Sequence, residues 1–92
     1  MRLDKYLKVS RIIKRRTVAN EACAGGRVML NDRVAKPGAE VKPGDRITIR
    51  FGEHIGQYEI TAVMEAARKD QASEMYKVLN EDSFTASERN QG

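Results

Sequence analysis

The chain contains no tryptophan, one cysteine, one histidine and two prolines among its 92 residues. A single cysteine excludes an internal disulfide, and Cys23 has no neighbours in the sequence that could complete a zinc site, so we predict that it is a small buried side chain on a helix. The apolar runs are only a few residues long, which predicts no transmembrane span, and the first residues lack the hydrophobic segment of a secretion signal. We therefore expect a cytoplasmic protein with one domain.

Groups that could perform catalysis are also scarce. The one histidine, His54, follows Glu53 in a predicted turn without a paired serine or cysteine, and we interpret it as a surface residue. The carboxylates are scattered, and the sequence contains neither a phosphate-binding loop motif nor a histidine and cysteine cluster. We therefore expect no enzymatic activity, no metal and no cofactor.

The charge is divided unevenly along the chain. Residues 1–50 contain 13 Lys and Arg against 5 Asp and Glu, a balance of +8, whereas residues 51–92 contain 4 against 8, a balance of −4. Crowded like charges destabilise a fold unless something outside the chain offsets their repulsion. The asymmetry therefore predicts that the first half binds a polyanion, with nucleic acid as the main candidate.

Two short helices are predicted at the start of the chain. Residues 2–10 have apolar positions at helical spacing, with Asp4 on the side opposite them. Thr17 is a suitable N-cap for a second helix, and Gly25 and Gly26 would end it, one of them in the left-handed conformation. A connector of about six residues makes the two helices a compact helical hairpin.

From residue 27 onward the apolar pattern has the period of two that is typical of strands. The segment 27–36 predicts a β-hairpin that turns at Asn31 and Asp32. The segments 46–51 and 57–63 predict two further strands, separated by a turn over residues 52–56.

The last part of the chain has apolar residues at helical spacing (Ala72, Met75, Tyr76 and Leu79), which predicts a C-terminal helix. The polar tail, residues 83–92, is expected to be disordered. The predicted fold class is α+β: a helical hairpin, a small and mainly antiparallel sheet, and a C-terminal helix. Residues 1–51 and 52–82 are expected to form a single domain.

Lysine and arginine crowd around the predicted start of the second helix. The first turn of a helix presents unpaired N–H groups and partial positive charge, which favour a phosphate, and arginine offers a planar fork to phosphate oxygens. RNA fits this surface better than DNA because the second helix offers few side chains that could read a major groove, and Glu21 would repel a duplex. The predicted RNA-binding residues are Arg2, Lys5, Lys8, Arg11, Lys14, Arg15, Arg16, Thr17, Arg27 and Arg33.

Several motifs in the first half resemble the S4 RNA-binding domain and occur in the same order: RLDKYL, RRTVANEACAGGRVMLN and VKPGDRITI. The family's Arg-Leu-Asp start falls on residues 2–4, its Arg-Ser/Thr-x-Ala segment on residues 16–19, and its Gly-x-Val-x-Val-Asn stretch on residues 26–31. One departure is Asp32, where the family usually has glycine, and this departure bears on the predicted turn. The resemblance implies the S4-type helical hairpin and an RNA-binding surface.

The whole chain is similar to small stand-alone S4 proteins of the ribosome-associated heat-shock family, and especially to short bacterial members that act in ribosome-associated quality control. Longer members carry a basic C-terminal extension, whereas the tail here is short and slightly acidic. The resemblance implies a non-enzymatic factor that binds 23S rRNA and peptidyl-tRNA on an obstructed large ribosomal subunit. It also implies that the protein assists the factor that adds alanine tails to stalled chains. We expect the protein to be a monomer.

Other functions remain open at this point. The chain could be a general RNA-binding adaptor, or the RNA-binding remnant of an RNA-modifying enzyme whose catalytic domain lies elsewhere. It could also be a protein-interaction module in which the acidic C-terminal helix binds a partner and RNA is incidental. Partners that survive nuclease treatment of a lysate would favour this last alternative.

Overall fold

The computed structural model of the protein describes residues 1–81, so the predicted disordered tail lies outside the described residues. The strands form one antiparallel sheet in the order β2-β1-β3-β4-β5. Within residues 1–81, no helix has the length and apolar character needed to cross a bilayer. The elements are α1 (Leu3–Val9), α2 (Arg16–Ala24), β1 (Val28–Leu30), β2 (Arg33–Val34), β3 (Arg46–Phe51), β4 (His54–Ile60), α3 (Lys69–Ala72) and β5 (Tyr76–Glu81).

The first helix, α1, has the apolar face that its sequence predicts. Leu3, Tyr6 and Leu7 are fully buried on that face, and Arg11, with a positive φ of 65°, redirects the chain soon after the helix ends. The prediction for Asp4 is wrong, because this residue is only 2% exposed. Helical periodicity placed Asp4 away from the core because periodicity contains no information about ion pairs between helices.

The start of α2 differs from the prediction. The N-cap is Arg15, which has an extended backbone and no side-chain capping bond, so Thr17 lies inside the first turn rather than before it. The amide of Ala19 donates to the Arg15 carbonyl at 3.0 Å and closes that turn. The helix therefore begins earlier than the hydroxyl of Thr17 would specify, with Arg15 as its N-cap and Arg16 as its first residue.

The end of α2 is confirmed as a glycine stop. Gly26 has a φ of 77°, and its amide donates to the Cys23 carbonyl at 3.0 Å. The amide of Arg27 donates to the Ala22 carbonyl at 2.9 Å, which completes the Schellman arrangement of hydrogen bonds. A residue with a side chain would be strained at Gly26, so the sequence determines where this helix ends.

The predicted β-hairpin between β1 and β2 is also confirmed. Leu30 lies opposite Arg33, and the two turn residues, Asn31 and Asp32, have φ values of 53° and 69°. Two positive φ angles are characteristic of the type I′ turn that two-residue hairpins prefer. Asp32 adopts this conformation in place of the usual glycine, and its carboxylate pairs with Arg46.

The third strand, β3, forms over residues 46–51 as predicted, but the turn after it is shorter than predicted. His54 is the first residue of β4, opposite Phe51, so only Gly52 and Glu53 remain in the turn. Gly52 supplies a φ of 62°, which a two-residue turn requires. His54 is partly buried at the start of β4, rather than in the broad turn that the sequence suggested.

The predicted C-terminal helix is wrong. Only one turn of helix, α3, forms there, and the chain then continues as β5 along the outer edge of β4. In β5, Tyr76 lies opposite Ile60, and its ring meets that of Tyr58 edge-on, with centroids 5.6 Å apart. The strand satisfies the backbone groups of β4, which a helix could not do. The protein-interaction alternative that relied on an acidic helix therefore loses its structural basis.

The helices and one face of the sheet enclose a single apolar core. The hydroxyl of Tyr6 on α1 donates to the Met75 carbonyl at 2.7 Å, just before β5 begins. Burial raises the pKa of this phenol, so it keeps its proton and remains a donor. The orientation of α1 relative to the sheet is therefore fixed by a buried hydrogen bond as well as by packing. The core includes Leu3, Tyr6, Leu7, Ala19, Ala22, Cys23, Val28, Ile47, Ile49, Tyr58, Ile60 and Met75.

Candidate nucleic-acid interface

The buried carboxylate of Asp4 connects the two helices. Its oxygens lie 3.2 Å from Nε and 3.4 Å from Nη2 of Arg2, which precedes α1, and 3.5 Å from Nη2 of Arg16, which begins α2. The Asp4 side chain is 3% exposed, whereas those of Arg2 and Arg16 are 55% and 49% exposed. One buried anion thus holds two guanidinium groups side by side, with part of each accessible to an external oxygen.

Further donors complete the environment of Asp4. The amide of Lys5 donates to it at 2.7 Å, and the side-chain amide of Asn20 donates at 3.2 Å. Burial by itself raises the pKa of this carboxyl, but the hydrogen bonds from Arg2, Asn20 and Lys5 and the charge of Arg16 outweigh it. The net result is a pKa below the ordinary value. Asp4 is therefore ionised at neutral pH.

A groove of about 800 Å³ lies beside this ion pair network, and we call it the cation cleft. One wall comes from α1, the connector and the start of α2. The other wall comes from the segment between β4 and the start of α3. Six of its ten lining residues are cationic, and only one is acidic. The cation cleft is lined by Lys5, Lys8, Val9, Arg11, Lys14, Arg16, Glu65, Ala66, Ala67 and Lys69.

The acidic member of the cation cleft, Glu65, is paired with Lys5 across the two walls. The distance between Lys5 Nζ and Glu65 Oε1 is 2.5 Å. The hydrogen bond and charge of Lys5 hold the pKa of Glu65 below its ordinary value. The Glu65 side chain is 79% exposed, so this pair is solvated and open to exchange with another anion.

The structure brings together most of the residues that the sequence predicted for RNA binding. Five of them line the cation cleft, and Arg2 lies next to it through its bond to Asp4. Arg15 and Thr17 are exposed at the start of α2. The clustering follows from the short connector and from the shared carboxylate. The five predicted residues that line the cleft are Lys5, Lys8, Arg11, Lys14 and Arg16.

The remaining two predicted residues lie elsewhere. Arg27 follows α2 and lines a separate hollow of about 190 Å³, together with Met29, Val34 and Arg50 on the sheet. Arg33 is exposed on β2. Neither lines the cation cleft, so they are not part of the same surface.

Three residues of the candidate interface were not among those predicted for RNA binding. Asp4 organises both arginines, and a signal for it existed, since the resemblance to the S4 domain already included Asp4 in a motif with Arg2. Glu65 and Lys69 form part of the second wall, about sixty residues away in the chain. No local pattern marks them, because they belong to the acidic half and reach the cleft only through the fold.

Within residues 1–81, no group of three or more His, Cys, Asp or Glu side chains could hold a metal ion. Cys23 is a buried side chain of α2, as predicted, and burial, followed by the nearby charge of Asp4, raises the pKa of its thiol to about 11. The thiol is therefore protonated at neutral pH and is a poor nucleophile.

Comparison with protein families agrees with this geometry. The S4 domain model matches residues 1–47, which contain α1, α2 and the β-hairpin. The RQC P-site tRNA stabilizing factor of Halalkalibacterium halodurans is 53% identical over 88 residues, covering 96% of this chain and 100% of that protein. The protein of the same name from Bacillus subtilis is 45% identical over 84 residues, covering 91% of this chain and 98% of that protein.

A solved structure extends the similarity to the whole fold. The heat shock protein 15 of Vibrio cholerae, described as trimeric, is similar with a TM-score of 0.80 and 34% sequence identity. The similarity covers 99% of this chain and 92% of that protein. More than half of the chain matches the domain model, and the curated relatives match almost end to end. The chain therefore belongs to the S4 domain family and, within it, to the family of the RQC P-site tRNA stabilizing factors.

Proposed function

We propose that this protein is a non-enzymatic, cytoplasmic RNA-binding factor of ribosome-associated quality control. It binds a free large ribosomal subunit that is obstructed by peptidyl-tRNA, through 23S rRNA and the P-site tRNA. It assists the factor that extends stalled nascent chains with C-terminal alanine. The name shared by the relatives supports the tRNA contact, and their near-complete alignment with this chain supports transfer of that role.

One observation carries the proposal: Asp4 holds Arg2 and Arg16 together at the edge of the cation cleft. Two guanidinium groups in fixed positions can grip successive phosphate oxygens with little loss of side-chain entropy. The cations of the cleft extend this grip along the RNA backbone. Contacts of this kind fix position and orientation on a structured RNA rather than reading its sequence.

Co-sedimentation with purified obstructed large subunits tests the proposal. The double variant Arg2→Ala/Arg16→Ala should bind at least about 100-fold more weakly, because each hydrogen bond between charged groups contributes roughly 1.5–3 kcal/mol. The charge-matched control is Lys42→Ala/Lys77→Ala, whose exposed lysines are not part of the cleft lining. Equal retention of both double variants on the subunits would refute the assignment of Arg2 and Arg16.

The salt dependence provides a second measure on the same particles. Each phosphate neutralised contributes roughly 0.7–0.9 to the slope of log affinity against log salt concentration. The Arg2→Ala/Arg16→Ala variant should therefore lose a slope of about 1.4–1.8, whereas the lysine control should keep the wild-type slope. A flat salt response of the wild-type protein would contradict phosphate binding.

Alanine tailing requires a separate assay. Obstructed subunits, the tailing factor and alanyl-tRNA are incubated with and without this protein, and the length of the C-terminal extension is measured. We expect longer tails with the wild-type protein and no gain with Arg2→Ala/Arg16→Ala. Tails of equal length in all reactions would remove the assisting role but would leave subunit binding intact.

A further inference from the structure

The second wall of the cation cleft lies outside the residues that match the S4 domain. Glu65, Ala66, Ala67 and Lys69 follow β4, whereas the match ends at residue 47. Ala67 is partly buried and packs against the core, so this wall is anchored to the body of the protein. The segment therefore turns a one-sided basic surface into a groove with two walls.

The lining of the cation cleft combines apolar and cationic side chains. Its apolar members are Val9, from α1, and Ala66 and Ala67, from the second wall, and its cations include Lys5, Lys8 and Lys69. A surface that contacts only phosphates has no use for apolar side chains. A nucleotide has a flat, largely apolar base attached to an anionic phosphate, and these two parts match the apolar and the cationic members of the lining.

The size of the cation cleft also limits which forms of RNA can enter it. Its volume of about 800 Å³ lies in the range of roughly 300–1,000 Å³ in which proteins enclose small ligands. A double helix is too wide to enter such a groove and could touch only its rim. A single base can enter once it is no longer paired, and proteins recognise unpaired bases in loops and bulges in this way.

We propose that the cation cleft takes one unpaired RNA nucleotide, with its base against Val9, Ala66 and Ala67 and its phosphate on Lys5 or Lys69. This inference rests on the proposed function and specifies which part of the RNA the cleft recognises. In the free protein, Glu65 is the ion-pair partner of Lys5. When the nucleotide binds, its phosphate replaces Glu65 as the partner of Lys5. The rest of the RNA backbone then lies across Arg2 and Arg16.

Two short RNA hairpins test this inference, one fully paired in its stem and one with a single bulged nucleotide. A fluorescent adenine analogue, 2-aminopurine, replaces the bulged base. Wild-type protein should bind the bulged hairpin roughly tenfold more tightly, on the scale of one ordered base contact. It should also raise the fluorescence of 2-aminopurine, because the base leaves its stacked neighbours. Equal affinity for both hairpins without a change in fluorescence would overturn the inference.

The variant Ala66→Leu tests the location by filling the cation cleft without changing charge. It should lose the preference for the bulged hairpin and the fluorescence change. The matched control is Ala24→Leu, an exposed alanine at the end of α2 that is not part of the cleft lining. Thermal unfolding of both variants checks that they are folded.

Failure of the nucleotide-binding inference can be distinguished from failure of the proposed function. If wild-type protein and Ala66→Leu show the same preference and the same fluorescence change, the nucleotide does not occupy the cation cleft. In that case the wild-type protein would still co-sediment with large subunits, and Arg2→Ala/Arg16→Ala would still fail to do so. If wild-type protein does not co-sediment with the subunits, the proposed function fails whatever the hairpins show.

Discussion

The helical hairpin and the sheet arrange their charges in opposite ways. On the sheet, Glu59 lies opposite both Arg46 and Lys77 on the neighbouring strands, so that charges of opposite sign alternate along this row of three residues. In the helical hairpin, one buried carboxylate holds two arginines, and further cations line the cation cleft. This row of the sheet therefore places opposite charges together, whereas the hairpin orients an excess of positive charge that an external anion can neutralise.

The substitution Asp4→Asn should have the largest effect on this contrast. It removes the charge that holds both arginines, and we expect a loss of about 2 kcal/mol in the free energy of unfolding. This is below the roughly 3–5 kcal/mol found when a buried pair is broken, because both arginines are half exposed. Urea unfolding measures the loss, and Asp32→Asn on the sheet is the matched control, since its pair with Arg46 is exposed. Equal stability of the two variants would show that the Asp4 network does not differ from a surface pair.

A charge-conserving substitution at Arg16 should have the next largest effect. Arg16→Lys keeps the positive charge but loses the planar fork, and we expect subunit binding to weaken about fivefold, equivalent to roughly 1 kcal/mol. Arg50→Lys, at an exposed position of β3, should change binding by less than about twofold. Sedimentation at a fixed salt concentration measures both. If the two variants bind alike, guanidinium geometry does not distinguish the hairpin from the sheet.

Acid should reduce the difference between Asp4→Asn and the wild type. The pKa of Asp4 in the folded protein lies below the ordinary value of 3.8, so its contribution to stability is complete above that value. It is lost as the pH falls through the lower folded-state pKa. Unfolding temperatures of wild type and Asp4→Asn should therefore converge as the pH falls below 3.8. A gap that stays constant over this range would assign the effect to packing instead of charge.

Removal of the acidic group in the cation cleft should have the smallest effect, and in the opposite direction. Glu65→Gln frees Lys5 and raises the local positive potential, so RNA affinity should rise roughly twofold to threefold at low salt. The control, Glu59→Gln, removes the same charge from the sheet. Titration of RNA at low and at high salt compares the two, and a larger gain at Glu59 would contradict a special role for Glu65.

Local signals in the sequence were sufficient for much of the fold. The apolar face of α1, the glycine stop after α2 and the two-residue turn at Asn31 and Asp32 each depend on a few adjacent residues. A left-handed residue or a helical face is specified by the chain near it. These elements also position most of the predicted cations, which is why five of them could be placed on one surface from the sequence.

Two errors are local, since Arg15 rather than Thr17 is the N-cap of α2 and the turn before β4 is shorter than predicted. The larger errors concern contacts between distant parts of the chain. The apolar spacing of residues 72–79 is compatible with a helix. In the fold, however, the later part of this segment pairs with the edge of β4 and forms β5. Asp4 is buried because Arg2, Arg16 and Asn20 surround it, and periodicity on α1 alone cannot reveal those partners. The second wall of the cation cleft was missed for the same reason.

The hydrogen bond from the hydroxyl of Tyr6 to the carbonyl of Met75 has a consequence for how the protein is made. During synthesis Tyr6 is translated 69 residues before its hydrogen-bond acceptor, Met75. The helix that contributes Lys5 and Lys8 to the cation cleft therefore lacks this hydrogen bond until Met75 has left the ribosome. A copy of the protein that is interrupted before Met75 would lack this anchor for α1.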